Sequence, residues 1–270
     1  MKKNSEFTVI MPALNEERNI ILAIKNVLSG FEKSAVSGEI IVVSDGSTDK
    51  TENLVRDFMQ TDERVRLVVH DKARGIGASF WDGVDQAYGA AIVLLPGDNE
   101  NDPMEIFRYA PLLEHVDIVV PFVFNREARA FFRNILSSVY CSIINATFHT
   151  NFNYTNGTVL YRTSVLKELS NRNFNFFFQT DILVRLISQG YLFAEVPYRL
   201  DIRKGGVSKA VSLASLMKVI RGYVRLAADF YFGGKRANEK GFAKDSMTFQ
   251  RKNFSAPCDV PVVVVQSAHG

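Results

Sequence analysis

Short apolar runs alternate with amphipathic segments along the first hundred residues of the chain. The runs have the length of buried strands, and the segments between them repeat apolar residues at the spacing of a helix. We predict strands at residues 8–11, 39–43, 65–69 and 91–95, and helices at residues 15–28, 51–60 and 78–88. This alternation indicates an α/β fold in which right-handed crossovers join the strands of a parallel sheet.

The pattern continues beyond residue 100 with wider spacing. We predict strands at residues 117–121, 158–161 and 191–198, and helices at residues 126–149, 164–169, 178–189 and 211–232. After residue 233 the chain becomes polar, and we interpret residues 234–270 as a C-terminal extension. Residues 1–210 are then the candidate catalytic domain, followed by one helix at residues 211–233.

The predicted helix after residue 211 is strongly amphipathic. Its apolar stripe consists of Leu213, Leu216, Met217, Ile220, Tyr223, Val224, Ala227 and Phe230. Its opposite stripe is basic and consists of Lys218, Arg221 and Arg225. A helix of this kind either lies on an anionic membrane or packs its apolar stripe on the domain.

The composition is that of a globular protein, with 47% hydrophobic residues. We find no apolar run of the roughly 18–20 residues that a membrane span needs, and the first residues lack the apolar core of a signal peptide. Cys141 and Cys258 are too few for a disulfide framework or a zinc site, so a cytosolic compartment is the default expectation.

The net charge is +3, but residues 199–252 hold 13 Lys or Arg and 4 Asp or Glu. This local excess suggests an anionic partner.

A cluster of carboxylates follows the fourth predicted strand. Asp98, Glu100 and Asp102 lie within five residues of one another, and like charges so close repel unless a cation lies between them. Carboxylate oxygens are ligands that a divalent cation prefers, and a cation held there could bind a diphosphate. The alternative is a solvated turn, because Asp, Asn and Pro are turn formers.

Polar residues also follow the first two predicted strands, at residues 12–15 and 44–46. Ligands of parallel α/β sheets bind beyond the carboxyl ends of the strands, so one pocket is expected to collect these segments and the acidic cluster. Gly75-Ile76-Gly77 resembles the start of a dinucleotide-binding loop, but Phe80 replaces the third glycine and we reject that interpretation. We interpret the histidines outside any motif as ordinary residues, namely His70, His115 and His149.

Five short motifs occur in order along residues 7–210. They are V-I-M-P-A-L-N-E at residues 9–16, V-V-S-D-G-S-T-D at 42–49, D-N-E at 98–100, F-Q-T-D at 178–181, and E-V-P-Y at 195–198 with R-K-G-G-V-S-K at 203–209. Together they resemble the signatures of the family 2 glycosyltransferases, and within them the dolichol-phosphate mannosyltransferase branch. The chain departs from the family pattern at Ser44 and Glu100, where relatives carry Asp, and at Ala90-Ala91, where relatives often carry Gly-Asp.

The resemblance implies a GT-A fold, which is α/β with a Rossmann-like, mostly parallel central sheet flanked by helices, here followed by the amphipathic helix. It implies a UDP- or GDP-linked sugar donor, Mg²⁺ or Mn²⁺, and inverting transfer to a polyprenyl phosphate rather than any nucleic-acid partner. The implied nucleotide-sugar residues are Pro12, Ala13, Asn15, Glu16, Asp45, Asp98 and Asn156. The implied metal residues are Asp98, Glu100 and Asp102. The implied residues around the acceptor phosphate are Arg126, Arg133, Arg203, Ser208 and Lys209. The implied catalytic residues are Asp98, Glu100, Arg203 and Asp181.

Three functions follow from this resemblance. The first is transfer to a lipid phosphate by a protein at the cytoplasmic face of a membrane, without a transmembrane helix of its own. The second is transfer to a sugar hydroxyl in glycan synthesis, where Asp181 is the general base; in the first function Asp181 is structural or contacts the sugar. The third is a non-catalytic protein that binds nucleotide sugars.

Overall fold

The computed structural model describes residues 6–125, 131–199, 213–233 and 241–254, and these form a central sheet covered by helices. The strands are β1 (Phe7–Ala13), β2 (Gly38–Asp45), β3 (Val65–His70), β4 (Ala91–Leu94), β5 (Ile118–Val123), β6 (Leu160–Arg162) and β7 (Phe193–Tyr198). The helices are α1 (Ile20–Lys33), α2 (Thr51–Met59), α3 (Ile76–Gln86), α4 (Met104–Phe107), α5 (Phe131–Phe148), α6 (Thr163–Lys167), α7 (Phe178–Ser188), α8 (Leu213–Phe232) and α9 (Met247–Phe254), with a 3-10 helix at Ala110–Glu114.

The strand order in the sheet is β3-β2-β1-β4-β6-β5-β7. Neighbouring strands run parallel except around β6, which is antiparallel to both β4 and β5. The predicted α/β class with a mostly parallel sheet is confirmed. The order also makes β2, β1 and β4 adjacent, so the segments that follow these three strands meet at one edge of the sheet.

The sheet has a hydrophobic core on each face. Side chains alternate between the faces along a strand, so Ile10 of β1 packs in the core that contains Trp81 of α3, while Val9 packs in the core that contains Ile24 of α1. Both faces are covered, which is why the central strands read as continuous apolar runs in the sequence.

The sequence pattern missed three short elements, namely α4, the 3-10 helix and α9. The first two are too short to show a helical period. Helix α9 lies in the polar segment after residue 233, where the apolar pattern is weak, and its position depends on a contact that is distant in sequence.

That contact is made by the buried carboxylate of Asp117, which precedes β5. It accepts hydrogen bonds from the backbone N–H groups of Met247 (2.6 Å) and Thr248 (3.0 Å) at the start of α9. The guanidinium of Arg162 also donates to it from β6 (3.2 Å). One fully buried charge therefore joins α9 to two strands of the sheet.

Some apolar residues of α8 pack on the domain, and others are exposed. Tyr223 and Leu226 pack against the protein core, whereas Leu216, Met217, Ile220 and Val224 are exposed. Across the part of the chain that the structure describes, no helix combines the length and the apolar character needed to cross a membrane.

We expect the substitution Asp117→Ala to destabilise the protein by about 3–5 kcal/mol, because it leaves Arg162 and the first turn of α9 without their buried acceptor. Urea denaturation measures the loss. The matched control is Asp85→Ala, which removes a half-exposed partner of Arg172 and should cost about 0–1 kcal/mol. Equal losses for the two variants would contradict the anchoring role of Asp117.

Candidate active site

The segments that follow β1, β2 and β4 lie together at the carboxyl edge of the sheet, as predicted. The N–H of Gly97, which precedes the acidic cluster, donates to the C=O of Pro12 at 3.0 Å. The hydroxyl of Ser47, in the loop after β2, donates to the C=O of Ala13 at 3.4 Å. Pro12 and Ala13 thus contribute backbone acceptors that hold the neighbouring segments in place.

Asn15 connects the loops after β1 and β2. Its φ is 58°, a left-handed conformation that asparagine tolerates better than most residues. Its side-chain oxygen accepts the N–H of Thr48 at 2.8 Å, and its own N–H donates to the hydroxyl of Ser47 at 3.1 Å. Glu16 donates its N–H to Thr51 at 2.8 Å, and its carboxylate accepts a hydrogen bond from Asn19. The P-x-x-N-E signature therefore organises this edge of the sheet through its own hydrogen bonds.

Asp45, at the end of β2, is almost fully buried and holds the loop that follows β3. One carboxylate oxygen accepts the N–H of Arg74 and the other accepts the N–H of Gly75, both at 2.8 Å. The first oxygen also lies 2.7 Å from Nδ1 of His70. Burial by itself would raise the pKa of Asp45, but the hydrogen bonds from His70 and the two backbone N–H groups outweigh it and lower the pKa.

His70 was interpreted from the sequence as an ordinary histidine, and the structure corrects this. It is buried between two carboxylates, with Nδ1 facing Asp45 and Nε2 lying 2.8 Å from Asp82 of α3. Arg74 also donates to Asp82 at 2.6 Å. The sequence gave no signal for this network, because its members come from three elements and share no motif.

The acidic segment forms a tight turn in which the carboxylates have different roles. Oδ1 of Asp98 accepts the N–H of Glu100 at 3.1 Å, and Oδ1 of Asp102 accepts the N–H of Met104 at 2.8 Å at the start of α4. Asn99 has a φ of 59° and accepts a hydrogen bond from Asn26 of α1 at 2.8 Å. This hydrogen bond fixes the turn to α1.

The oxygen donors of Asp98 and Glu100 fit a hard divalent cation. Among the described residues, no three His, Cys, Asp or Glu side chains are grouped so that they could hold a metal ion. The pair therefore fits a cation that takes its remaining ligands from water and substrate, which is the usual arrangement for Mg²⁺ at phosphate substrates. The carboxylate of Asp102 accepts a backbone N–H at the start of α4, and its role as a third ligand stays a prediction.

A cleft of about 170 Å³ lies beside the acidic turn. Asn156, one of the implied nucleotide-sugar residues, lines it together with Asn101 of the acidic segment, whose side chain accepts a hydrogen bond from Tyr198 at 3.3 Å. The other lining residues are Ile76, Leu94, Pro96, Pro121, Val123, Tyr154, Gly157, Thr158, Phe176, Phe178 and Gln179. The described wall is thus formed by apolar and aromatic groups with neutral amides and a hydroxyl.

Asp181 is buried on α7 and is not among the residues that line the cleft. Its carboxylate receives two hydrogen bonds from Arg185, at 2.8 and 3.3 Å, and Arg185 also pairs with Asp229 of α8 at 2.6 Å. Burial raises the pKa of Asp181, and the hydrogen bonds and charge of Arg185 offset only part of that increase. The ion pair joins α7 to α8.

Most of the predicted acceptor-phosphate residues lie outside the described structure. They are Arg126, Arg203, Ser208 and Lys209. Arg133 lies in α5, but its side chain is also outside the description. Their predicted roles therefore stay predictions.

We expect the stabilising contribution of Asp45 to depend on pH. Because folding lowers its pKa below the usual 3.8, the contribution is complete above that value and is lost as the pH falls through the folded-state pKa. Asp45→Asn should cost about 1–3 kcal/mol at neutral pH, with a shrinking difference from the parent below pH 3.8. Urea denaturation across a pH series measures this. Asp57→Asn, on the exposed side of α2, is the control, and a pH-independent Asp45→Asn difference would contradict the prediction.

Comparison with known proteins extends these observations. The model of the family described as Glycosyl transferase family 2 matches residues 8–170. The dodecaprenyl-phosphate galacturonate synthase of Rhizobium johnstonii is 28% identical over 173 residues, which are 61% of this chain and 50% of that protein. The undecaprenyl-phosphate 4-deoxy-4-formamido-L-arabinose transferase of Photorhabdus laumondii is 26% identical over 164 residues, 60% of this chain and 50% of that protein. The chain thus spans about half the length of these curated relatives.

Solved structures of glucosyl-3-phosphoglycerate synthase from Mycobacterium tuberculosis share the fold. The complex with Mn²⁺, UDP-glucose and phosphoglyceric acid has a TM-score of 0.61 at 19% identity and covers 83% of this chain and 80% of that chain. The complex with Mg²⁺ and UDP has a TM-score of 0.62 at 18% identity, with coverage of 83% and 80%. The predicted GT-A fold is confirmed. Because the family match extends over more than half of its length, the chain belongs to glycosyl transferase family 2.

Proposed function

We propose that this chain transfers a sugar from a nucleotide diphosphate to a polyprenyl phosphate, with inversion at the anomeric carbon, at the cytoplasmic face of a membrane. The observation that carries the choice of acceptor is the chemistry of the cleft. Among its described lining residues none is acidic, so this wall offers no carboxylate to deprotonate an acceptor. A lipid phosphate is ionised at neutral pH and needs no such base.

The donor half of the proposal rests on the carboxyl edge of the sheet. The loops after β1 and β2 are fixed by Asn15 and Asp45, so their backbone groups are held in one arrangement before a nucleotide binds. Preorganised polar groups cost little reorganisation on binding. Two curated relatives are named for transfer to dodecaprenyl or undecaprenyl phosphate, which supports the same acceptor class here.

Asp98 and Glu100 are the residues that would hold Mg²⁺ or Mn²⁺. Such a cation supplies electrostatic stabilisation for the negative charge that develops on the departing diphosphate. The chain's own residues position the pair: the turn is fixed to β1 through Gly97 and to α1 through Asn99. Glu100, one methylene longer than the family's Asp, is more exposed than Asp98.

The cleft wall is suited to a sugar ring. Aromatic faces such as Tyr154 and Phe178 offer large apolar contact areas, and the amides of Asn101 and Asn156 offer both donors and acceptors. The cationic groups that would position a phosphate, above all Arg203 and Lys209, belong to the motif after β7 and lie outside the described residues. Arginine suits bidentate contacts with phosphate oxygens.

Transfer to a sugar hydroxyl is the second candidate, and one observation favours it. The raised pKa of Asp181 is a property that general bases often have. Its position argues the other way, because the carboxylate is buried in an ion pair with Arg185 and does not line the cleft. We therefore propose that Asp181 is structural.

The transfer experiment tests the function directly. Incubation with UDP- and GDP-linked sugars, Mn²⁺ and a short polyprenyl phosphate should give a charged glycolipid, detected by mass spectrometry. Asp98→Asn should reduce turnover by at least about 100-fold through the loss of electrostatic stabilisation. Product from sugar acceptors, with none from any lipid phosphate, would refute the proposed acceptor. Donor binding without any transfer would favour a non-catalytic binding protein.

Asp102→Asn is the matched variant for the metal assignment. The side-chain oxygen of asparagine can accept the same N–H of Met104, so this hydrogen bond is retained while the charge is removed. If Asp98 and Glu100 are the protein's two ligands, Asp102→Asn should change Mn²⁺-dependent UDP binding less than about threefold, whereas Asp98→Asn should weaken it at least about tenfold. Titration calorimetry with and without Mn²⁺ measures both. Equal losses would make Asp102 a third ligand.

The variant Asp181→Asn separates the two candidate functions. We expect it to retain a substantial part of the turnover with a polyprenyl phosphate, and to lose about 1–3 kcal/mol of stability because the buried pairing with Arg185 is weakened. Asp229→Asn, which removes the more exposed partner of the same arginine, is the control. Loss of turnover in Asp181→Asn, with binding and folding intact, would instead identify a general base.

A further inference from the structure

Helix α8 carries an apolar arc that stays about half exposed among the residues that the structure describes. Leu216, Met217, Ile220 and Val224 are each between 45% and 58% exposed. At 3.6 residues per turn these four positions fall within about 100° of arc. The adjoining side of the helix, including Tyr223 and Leu226, packs on the domain, so the exposed arc is not part of the core.

Helix α5 exposes a matching arc with the same spacing. Ile135, Leu136, Val139 and Ile143 are between 43% and 63% exposed, and they also fall within about 100° of arc. From residue 134 to residue 148 the sequence contains no charged residue. An uncharged helix face of this kind is unusual on a surface that meets only water.

The two helices pack side by side along the edges of these arcs. The hydroxyls of Thr147 on α5 and Tyr223 on α8 are 2.7 Å apart, and Phe148 makes edge contacts with Tyr223 and Phe230. Thr147 lies about 20° beyond Leu136 on its helix wheel, and Tyr223 lies about 20° before Leu216 on its own. Each contact line therefore borders the exposed arc.

Both helices also run in the same direction, away from the carboxyl edge. Helix α8 is parallel to α7, because Gly222 lies against Phe177 and Asp229 pairs with Arg185 about two turns later. The segment after α5 turns back along it toward the cleft, as shown by the hydrogen bond from the N–H of Phe152 to Asn145. For two parallel helices in contact along these lines, the arcs open on the same side and form one surface.

A basic border completes this surface. Lys218, Arg221 and Arg225 are exposed on α8, at wheel positions that follow directly after Met217. The acidic residue of this helix, Asp229, is turned toward Arg185. We infer that the α5–α8 surface, defined by the two apolar arcs and this border, lies on an anionic lipid bilayer.

The charge of the border favours a bilayer over a second copy of the chain. Two copies meeting through this surface would bring two sets of Lys218, Arg221 and Arg225 together, whereas anionic head groups complement them. Apolar side chains bordered by Lys and Arg are the features of helices that lie in a membrane interface. The inference rests on the proposed function in one respect: a lipid-phosphate acceptor would explain why the protein binds a membrane.

The surface also lies close to the cleft. Gly222 of α8 lies against Phe177, and the next two residues along the chain, Phe178 and Gln179, line the cleft. A lipid phosphate at the bilayer surface would therefore lie near the opening where the sugar is transferred.

Vesicle binding by the full chain tests this inference. We expect co-flotation with phosphatidylcholine vesicles that contain phosphatidylglycerol, and weaker binding to phosphatidylcholine alone. Combined Leu136→Gln and Val224→Gln should reduce binding at least about tenfold, because two exposed apolar side chains leave the interface. The matched control is Leu22→Gln with Tyr88→Gln, since these side chains are similarly exposed elsewhere.

The basic border is tested by Lys218→Gln, Arg221→Gln and Arg225→Gln combined. This variant should bind anionic vesicles no better than neutral ones, and added salt should have the same effect on the parent. Equal vesicle binding by the Leu136→Gln/Val224→Gln variant and its control would overturn the inference. So would a parent dimer in analytical ultracentrifugation that this variant dissociates, with no vesicle binding.

The assay contains neither donor nor acceptor, so it is independent of catalysis. If the parent binds vesicles through the α5–α8 surface but makes no glycolipid, the proposed function is refuted and the membrane-binding inference is supported. If glycolipid forms from a short soluble acceptor while vesicle binding is absent, the proposed function is supported and the membrane-binding inference is refuted.

Discussion

Strand β1 hydrogen-bonds to β2 on one side and to β4 on the other. Because the three strands are parallel and in adjacent positions, their carboxyl ends lie side by side, and the segments that follow them share one edge. Asn15, Asp45 and Asp98 come from distant parts of the sequence, yet this register places all three at that edge. The cleft extends it toward β5 and β7.

Much of this arrangement could be predicted from the sequence, because buried strands and short motifs leave local patterns. Residues 8–11 and 91–95 read as strands from their apolar runs alone, and Asn156, implied by the family resemblance, lines the cleft. The network around His70 could not be predicted, since it depends on the distance between β2, β3 and α3. Helix α9 was missed for a similar reason: its start is held by Asp117, which lies far away in the sequence.

The apolar residues of α8 show another limit of prediction from the sequence. Periodicity identifies a helix and its apolar residues, but it does not say which of them a neighbouring element covers. In the folded chain α5 and α7 cover Tyr223 and Leu226 and leave Ile220 and Val224 exposed. Charged side chains are also separated in space: the described cleft wall is neutral, whereas the basic border of α8 carries cations.

The ion pair between Arg185 of α7 and Asp229 of α8, together with the close approach of Gly222 to Phe177, makes one rigid unit of the two helices. Helix α7 begins with Phe178 and Gln179, which belong to the cleft wall. If α8 rests on a bilayer, this unit acts as a spacer that sets the height of the cleft above the lipid. Acceptors would then be selected by how far their phosphate protrudes from the membrane, independently of the length of the buried chain.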